Sequence, residues 1–139
     1  MQQEEIERRV ALADEYHDRG FNCAQSTALA CCDLVGLDER EAFRMLEGFG
    51  GGMGGTTETC GAISGGVAVI GYKISEGPHN PTTKKRTYPQ AHRLVAEFRA
   101  KNGSTLCNEI KGLTGGPVLR SCPGCIEDAV RLTLAILDE

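Results

Sequence analysis

Apolar residues recur at three- and four-residue spacing along almost the whole chain, and no run of alternating β-branched residues between turn signals is long enough to read as a strand. That periodicity predicts an all-α fold: residues 1–139 as a compact single-domain bundle of five to seven helices, with a glycine-rich loop before the central one. A first helix is expected from Gln3 to Arg19, with Ile6, Val10, Ala13 and Tyr16 on one stripe and Gly20 just past its end. Asn22 is a good N-cap for a second helix reaching Val35, and Asp38 with Glu41 resembles a capping box for a third ending at Leu46. Gly48 to Gly55 then stops the helical pattern. Thr59 is expected to cap a fourth, central helix from Cys60 to Ile74, whose Gly61 and Gly65 leave one face bare enough for another helix to approach closely. A fifth ends near Lys101, with Pro89 marking its first turn or a kink. Ser104 is expected to cap a short helix holding Cys107, and a last helix runs from Pro123 to Leu137 with Ile126, Ala129, Val130 and Leu134 inward.

A chain of 139 residues with 40% hydrophobic content can build its core unaided, so its 7 cysteines are not explained as disulfide staples. Met1 to Arg9 lacks the apolar run of a signal peptide, which predicts a cytoplasmic address. The most apolar stretch, Cys60 to Ile74, falls short of the roughly 20 residues a membrane crossing needs, so no membrane insertion is expected. Formal net charge is −4, unevenly spread: Met1 to Glu47 holds 11 acids and 5 bases, whereas Thr82 to Lys101 holds 6 bases and one acid. No aromatic residues are interleaved with Lys84, Lys85 and Arg86 for stacking on bases, which argues against nucleic-acid binding. The oppositely charged halves and the small residues of the helices make a homodimer about a two-fold axis an expectation.

Cys23, Cys60, Cys107 and Cys122 all fall at expected helix starts, where free amides and the positive end of the helix dipole favour an anionic sulfur. Such a sulfur can serve as a nucleophile or as a metal ligand. Cys31 and Cys32 lie among Ala28, Leu29, Ala30 and Leu34 and read as core. Cys122-Pro123-Gly124-Cys125 is a C-x-x-C, but Ile126 excludes c-type haem attachment and no second C-x-x-C completes a zinc ribbon. Gly50-x-Gly52-x-x-Gly55 fits a dinucleotide fingerprint as text, yet a helical segment precedes it where a strand is required. Its better use is local, letting backbone pass close to Cys60. His17, His79 and His92 show no metal-site spacing.

Gly20-Phe21-Asn22-Cys23-Ala24-Gln25, and the glycine run followed by Cys60-Gly61-Ala62-Ile63-Ser64-Gly65, resemble the first and central blocks of the family of redox-active proteins named for the motif C-GCAxxG-C-C. Gly103 to Ile110 resembles the third block, and Cys122 the fourth cysteine. The resemblance covers nearly the whole chain. It implies a redox role for Cys23, Cys60, Cys107 and Cys122, with Cys125 as substitute for Cys122, and a similar helical domain in certain multihaem cytochromes raises an iron–sulfur centre. Four thiolates suit such a cluster and also suit zinc. The expectations are therefore dithiol/disulfide exchange or electron transfer through a cysteine-ligated iron–sulfur cluster, with zinc or no cofactor as alternatives. Cys23, Cys60, Cys107, Cys122 and Cys125 should converge in one pocket, approached by backbone at Gly52, Gly55 and Gly61. The partner is expected to be a redox protein or a small-molecule oxidant or reductant. The competing expectation is a helical interaction module with a structural zinc site or merely buried cysteines.

Overall fold

The computed structural model describes residues 1–139 and contains seven α-helices: α1 (Gln3–Asp18), α2 (Cys23–Leu29), α3 (Glu39–Leu46), α4 (Gly61–Ile74), α5 (Lys84–Asn102), α6 (Cys107–Ile110) and α7 (Cys122–Leu137). The expected all-α bundle is what forms. Gly50–Met53 is a tight turn rather than a helix, because Gly51 (φ 61°) and Gly52 (φ 59°) are left-handed. The one bridge of β type joins Thr59 to Leu106. No helix is long and apolar enough to cross a membrane.

α4 is the centre, packed against α2, α5 and α7, while α1 closes over α7. Three glycines of α4 allow this. A Cβ on Gly65 would fall inside the Ala24 carbonyl, and one on Gly61 would lie 3.0 Å from the Phe49 carbonyl oxygen, so this face of α4 meets α2 backbone to backbone. Gly66 does the same on the other side, where Leu94 of α5 and Thr133 of α7 press in. Ile63, Phe98, Ile126 and Leu134 complete a core with under 2% exposure each.

The second helix is shorter than its periodicity suggests. It stops at Leu29 because Arg9, 4% exposed, reaches from α1 to donate to the Ala30 carbonyl at 2.9 Å and to the Asp33 carboxylate at 2.6 and 3.0 Å. A 3₁₀ turn over Cys32–Val35 follows, ended by left-handed Gly36. Cys31 and Cys32 therefore sit at a helix break, not mid-helix, and both remain core, at 0% and 1% exposure. Pro89 lies inside α5, beyond its first turn, because a 3₁₀ turn over Pro81–Thr83 leads directly into Lys84.

Candidate functional site: a five-thiol cavity

Four short pieces of chain bring cysteines together, each through its own local chemistry. Asn22 closes a full capping box on α2, accepting from the Gln25 amide and donating its own amide to the Gln25 side chain, both at 2.9 Å, which fixes Cys23 as the first helical residue. Ser121 caps α7 through the Gly124 amide at 3.1 Å and sets Cys122 in the same position there.

Thr59 does not cap α4 and Ser104 does not cap α6, contrary to expectation. Residues 58–60 and 105–107 instead pair antiparallel, with Cys60 N donating to Thr105 O (2.7 Å) and Cys107 N to Glu58 O (2.9 Å), so Cys60 becomes the N-cap of α4 beside Cys107. Ser104 serves this pairing by accepting from the Leu106 amide at 3.0 Å while its hydroxyl donates to Glu109 at 2.6 Å. The glycine turn folds over the pair. Gly52 lies so close that a Cβ there would be 2.5 Å from the Cys107 Cβ.

The result is a small cavity of about 20 Å³ lined by Cys23, Cys60, Cys107, Cys122, Cys125, Gly51, Gly61, Ile110, Lys111 and Arg120. All five cysteines singled out from the sequence lie on it, and Cys31 and Cys32 do not. Gly61 lines it and Gly52 supports it through Cys107, but Gly55 is exposed with nothing within 4 Å of a would-be Cβ. Gly51 stands in its place. Sequence reasoning missed Lys111 and Arg120. Lys111 stands one helical turn after Cys107, the i,i+4 spacing that puts two side chains on one face. Arg120 had no such signal, since its place depends on Asp128.

Asp128 is 2% exposed and gathers Lys101, Asn102 Nδ2 (3.1 Å) and the Arg120 guanidinium (3.1 and 3.2 Å). Arg120 is thereby laid across Gly124, where a Cβ would come within 2.5 Å of its Nε. The third residue of the C-P-G-C segment thus has no room for a side chain.

All seven cysteines are free thiols, and four of the five on the cavity act on one another's protons in two pairs. The first is Cys23 with Cys122, both half-buried. Cys122 is held down to about 5 by the hydrogen bond from Cys23, with Lys111 adding positive charge against the cost of burial. Cys23 moves the opposite way, raised because that hydrogen bond and burial both keep its proton on. The second pair is Cys60 with Cys125, 6% and 3% exposed. The hydrogen bond from Cys125 lowers Cys60 to about 7, opposed by burial and helped by the amides of Ala62 and Ile63 at the start of α4. Cys125 is raised by the same bond and by burial. Cys107, unpaired and 5% exposed, is raised by burial. Lys111 is raised first by the Cys122 thiolate, with Cys107 and Cys23 also beside it.

This arrangement suits pairwise sulfur chemistry. No three His, Cys, Asp or Glu side chains are placed to hold a metal ion, and a cavity of about 20 Å³ has space for about one water. As arranged, the sulfurs fit neither zinc nor an iron–sulfur core; they would first have to rotate out of their pairs.

Comparison with known proteins bears on the same residues. Residues 21–136 match the family described as "Putative redox-active protein (C_GCAxxG_C_C)". A protein of Archaeoglobus fulgidus described as "Uncharacterized protein" is 25% identical over 147 residues, which cover 98% of this chain and 97% of that one. No solved structure matches.

Proposed function

The chain belongs to the C-GCAxxG-C-C family of redox-active proteins, and from that premise we propose that it performs thiol–disulfide exchange, with Cys122 as the attacking thiolate and Cys23 as the resolving thiol. The observation that carries this reading is the gathering of half-buried Cys23 and Cys122 with Lys111 on one cavity, a cation that favours the thiolate of Cys122. Cys122 Sγ attacks one sulfur of a substrate disulfide, whose S–S bond breaks and whose other sulfur leaves with the electron pair. Cys23 then gives up its proton and attacks Cys122 Sγ, releasing the second substrate sulfur as a thiol. The protein ends with a Cys23–Cys122 disulfide and the substrate with two more electrons. A dithiol partner reverses these steps and restores the protein. Lys111 holds the Cys122 thiolate and withdraws charge from it as it becomes a leaving group.

The substrate class is therefore a disulfide, of a small molecule or of a redox protein, in a reducing cytoplasm where both states of the pair are accessible. A homodimer with the acidic region of one chain on the basic α5 of the other is part of this proposal, checked by the solution mass.

An iron–sulfur centre is the second reading. It is favoured by the fifth thiol, since two pairs account for four and the cavity gathers Cys107 as well. One anaerobic preparation separates the two, assayed for iron, acid-labile sulfide, zinc and free thiols, then titrated with a small disulfide. Exchange chemistry predicts stoichiometric Cys23–Cys122 disulfide in metal-free protein. Iron and sulfide in stoichiometric amounts, lost when Cys60 or Cys107 becomes serine, would replace it with the cluster.

A further inference from the structure

We propose that the cavity is a two-stage relay: a disulfide formed at Cys23–Cys122 is passed inward to Cys60–Cys125, with Cys122–Cys125 of the C-P-G-C segment as the intermediate bond. This rests on the thiol–disulfide reading above and adds a second, internal redox couple to it. Three observations lead there. The two pairs differ in access, because Cys23 and Cys122 are half-buried whereas Cys60 and Cys125 are 6% and 3% exposed. An external disulfide reaches the first pair and not the second. The pairs are also joined, since Cys122 and Cys125 lie three residues apart in the first turn of α7 and share one face of it. Each of these two sulfurs acts on a different partner, Cys122 on Cys23 and Cys125 on Cys60. Finally, all of them line one cavity.

The steps balance without any external reagent. With Cys23–Cys122 oxidised, Cys125 Sγ attacks Cys122 Sγ and its proton passes to the Cys60 thiolate that already accepts its hydrogen bond. The Cys23–Cys122 bond breaks and Cys23 leaves as the thiolate. The proton on Cys60 moves through solvent to Cys23, and the Cys60 thiolate attacks Cys125 Sγ. The Cys122–Cys125 bond breaks, and Cys122 leaves with the electron pair. The products are a Cys60–Cys125 disulfide, a Cys122 thiolate and a Cys23 thiol, which is the resting state of the outer pair. Net charge is unchanged and two electrons have moved outward.

Lys111 gives this transfer its direction. A cation beside Cys122 stabilises the reduced outer pair, and a pair whose reduced form is stabilised is the stronger oxidant. The outer disulfide therefore oxidises the inner pair, and the outer pair is free to react again. One chain consumes two disulfide equivalents and gives up four electrons.

The test is a time course of the fully reduced, metal-free chain with bis(2-hydroxyethyl) disulfide, quenched in acid, alkylated and mapped by peptide mass spectrometry. The relay predicts Cys23–Cys122 first, then Cys122–Cys125 transiently, then Cys60–Cys125, with two equivalents of the reagent consumed. Cys125→Ser should halt at Cys23–Cys122 after one equivalent, and Cys122→Ser should slow Cys60–Cys125 formation at least tenfold. The order of bonds in the unaltered chain decides the matter even if neither variant folds. Equal rates of inner-pair oxidation with and without Cys122, or an outer disulfide that never yields an inner one, overturns the relay. Failure of Cys23–Cys122 to form at all overturns instead the exchange function on which the relay stands.

Discussion

Oxidation of the Cys23–Cys122 pair should release one proton at neutral pH rather than two, and the pH dependence of its midpoint potential measures that number. Cys122 is held down to about 5, so between pH 6 and 8 it carries no proton in the reduced protein. Cys23, raised by its bond to Cys122 and by burial, carries one throughout. Disulfide formation then yields two electrons and one proton. For a two-electron couple each released proton contributes about 30 mV per pH unit. Raising the pH withdraws that proton and favours the disulfide, so the potential should become more negative by about 30 mV per unit over this range. Below about pH 5 Cys122 is protonated, two protons leave, and the slope should steepen to about 59 mV per unit. The assay is equilibration of the intact chain against a graded thiol/disulfide buffer at several pH values, with Cys23–Cys122 occupancy read by alkylation and peptide mapping. A slope near 59 mV per unit across pH 6 to 8 would show that Cys122 is an ordinary thiol and refute the assignment of the nucleophile.

Lys111→Met should raise the pH midpoint of Cys122 alkylation and slow its labelling by iodoacetamide at pH 6 about twofold, while Lys111→Arg keeps most of the rate; an unchanged profile would remove Lys111 from the site. Gly65→Ala forces a methyl into the Ala24 carbonyl of α2 and should cost about 2 kcal/mol or more, seen as a fall in Tm of about 5–10 °C. Asp128→Asn should destabilise by about 1–2 kcal/mol in urea titrations at pH 7, since Lys101 and Arg120 are exposed enough to return to water. Burial pushes the Asp128 carboxyl up, but bonds from Lys101, Arg120 and Asn102 outweigh this and hold it below the usual carboxylate range. Its stabilisation is thus complete above the unfolded value and lost as pH falls through the folded one, so the deficit of the variant should shrink below about pH 4.

Much of the helical frame was legible because its causes are local. The i, i+3, i+4 stripe of α1, the Asn22 cap with Gln25 three residues on, and the bare Gly61 and Gly65 face of α4 each act within one or two turns of chain. The errors fall where a distant residue intervenes: Arg9 ends α2 from 21 residues away, and the strand-like pairing of 58–60 with 105–107 takes Thr59 and Ser104 out of their expected caps. Either residue would serve as a cap in an isolated peptide, which is why local rules chose it.

The same division runs through the site. Helix starts at Cys23 and Cys122 follow from the adjacent Asn22 and Ser121 caps, whereas Cys60 and Cys107 are placed by the pairing of residues 58–60 with 105–107. Which sulfur touches which could not follow, because pairing depends on how α2, α4 and α7 cross, and that is decided by backbone contacts at Gly61 and Gly65 and by the fold of the glycine turn over Cys107. Cys125, which read as a substitute for Cys122, shares its face of α7 three residues on and is the more deeply buried of the two, with Cys60 as its neighbour. The sequence alone determined that the chain is helical and that its cysteines gather at helix ends; only the tertiary structure decided that they meet as two pairs with opposite proton affinities, because a thiol becomes acid or base according to the sulfur, cation or amide packed against it.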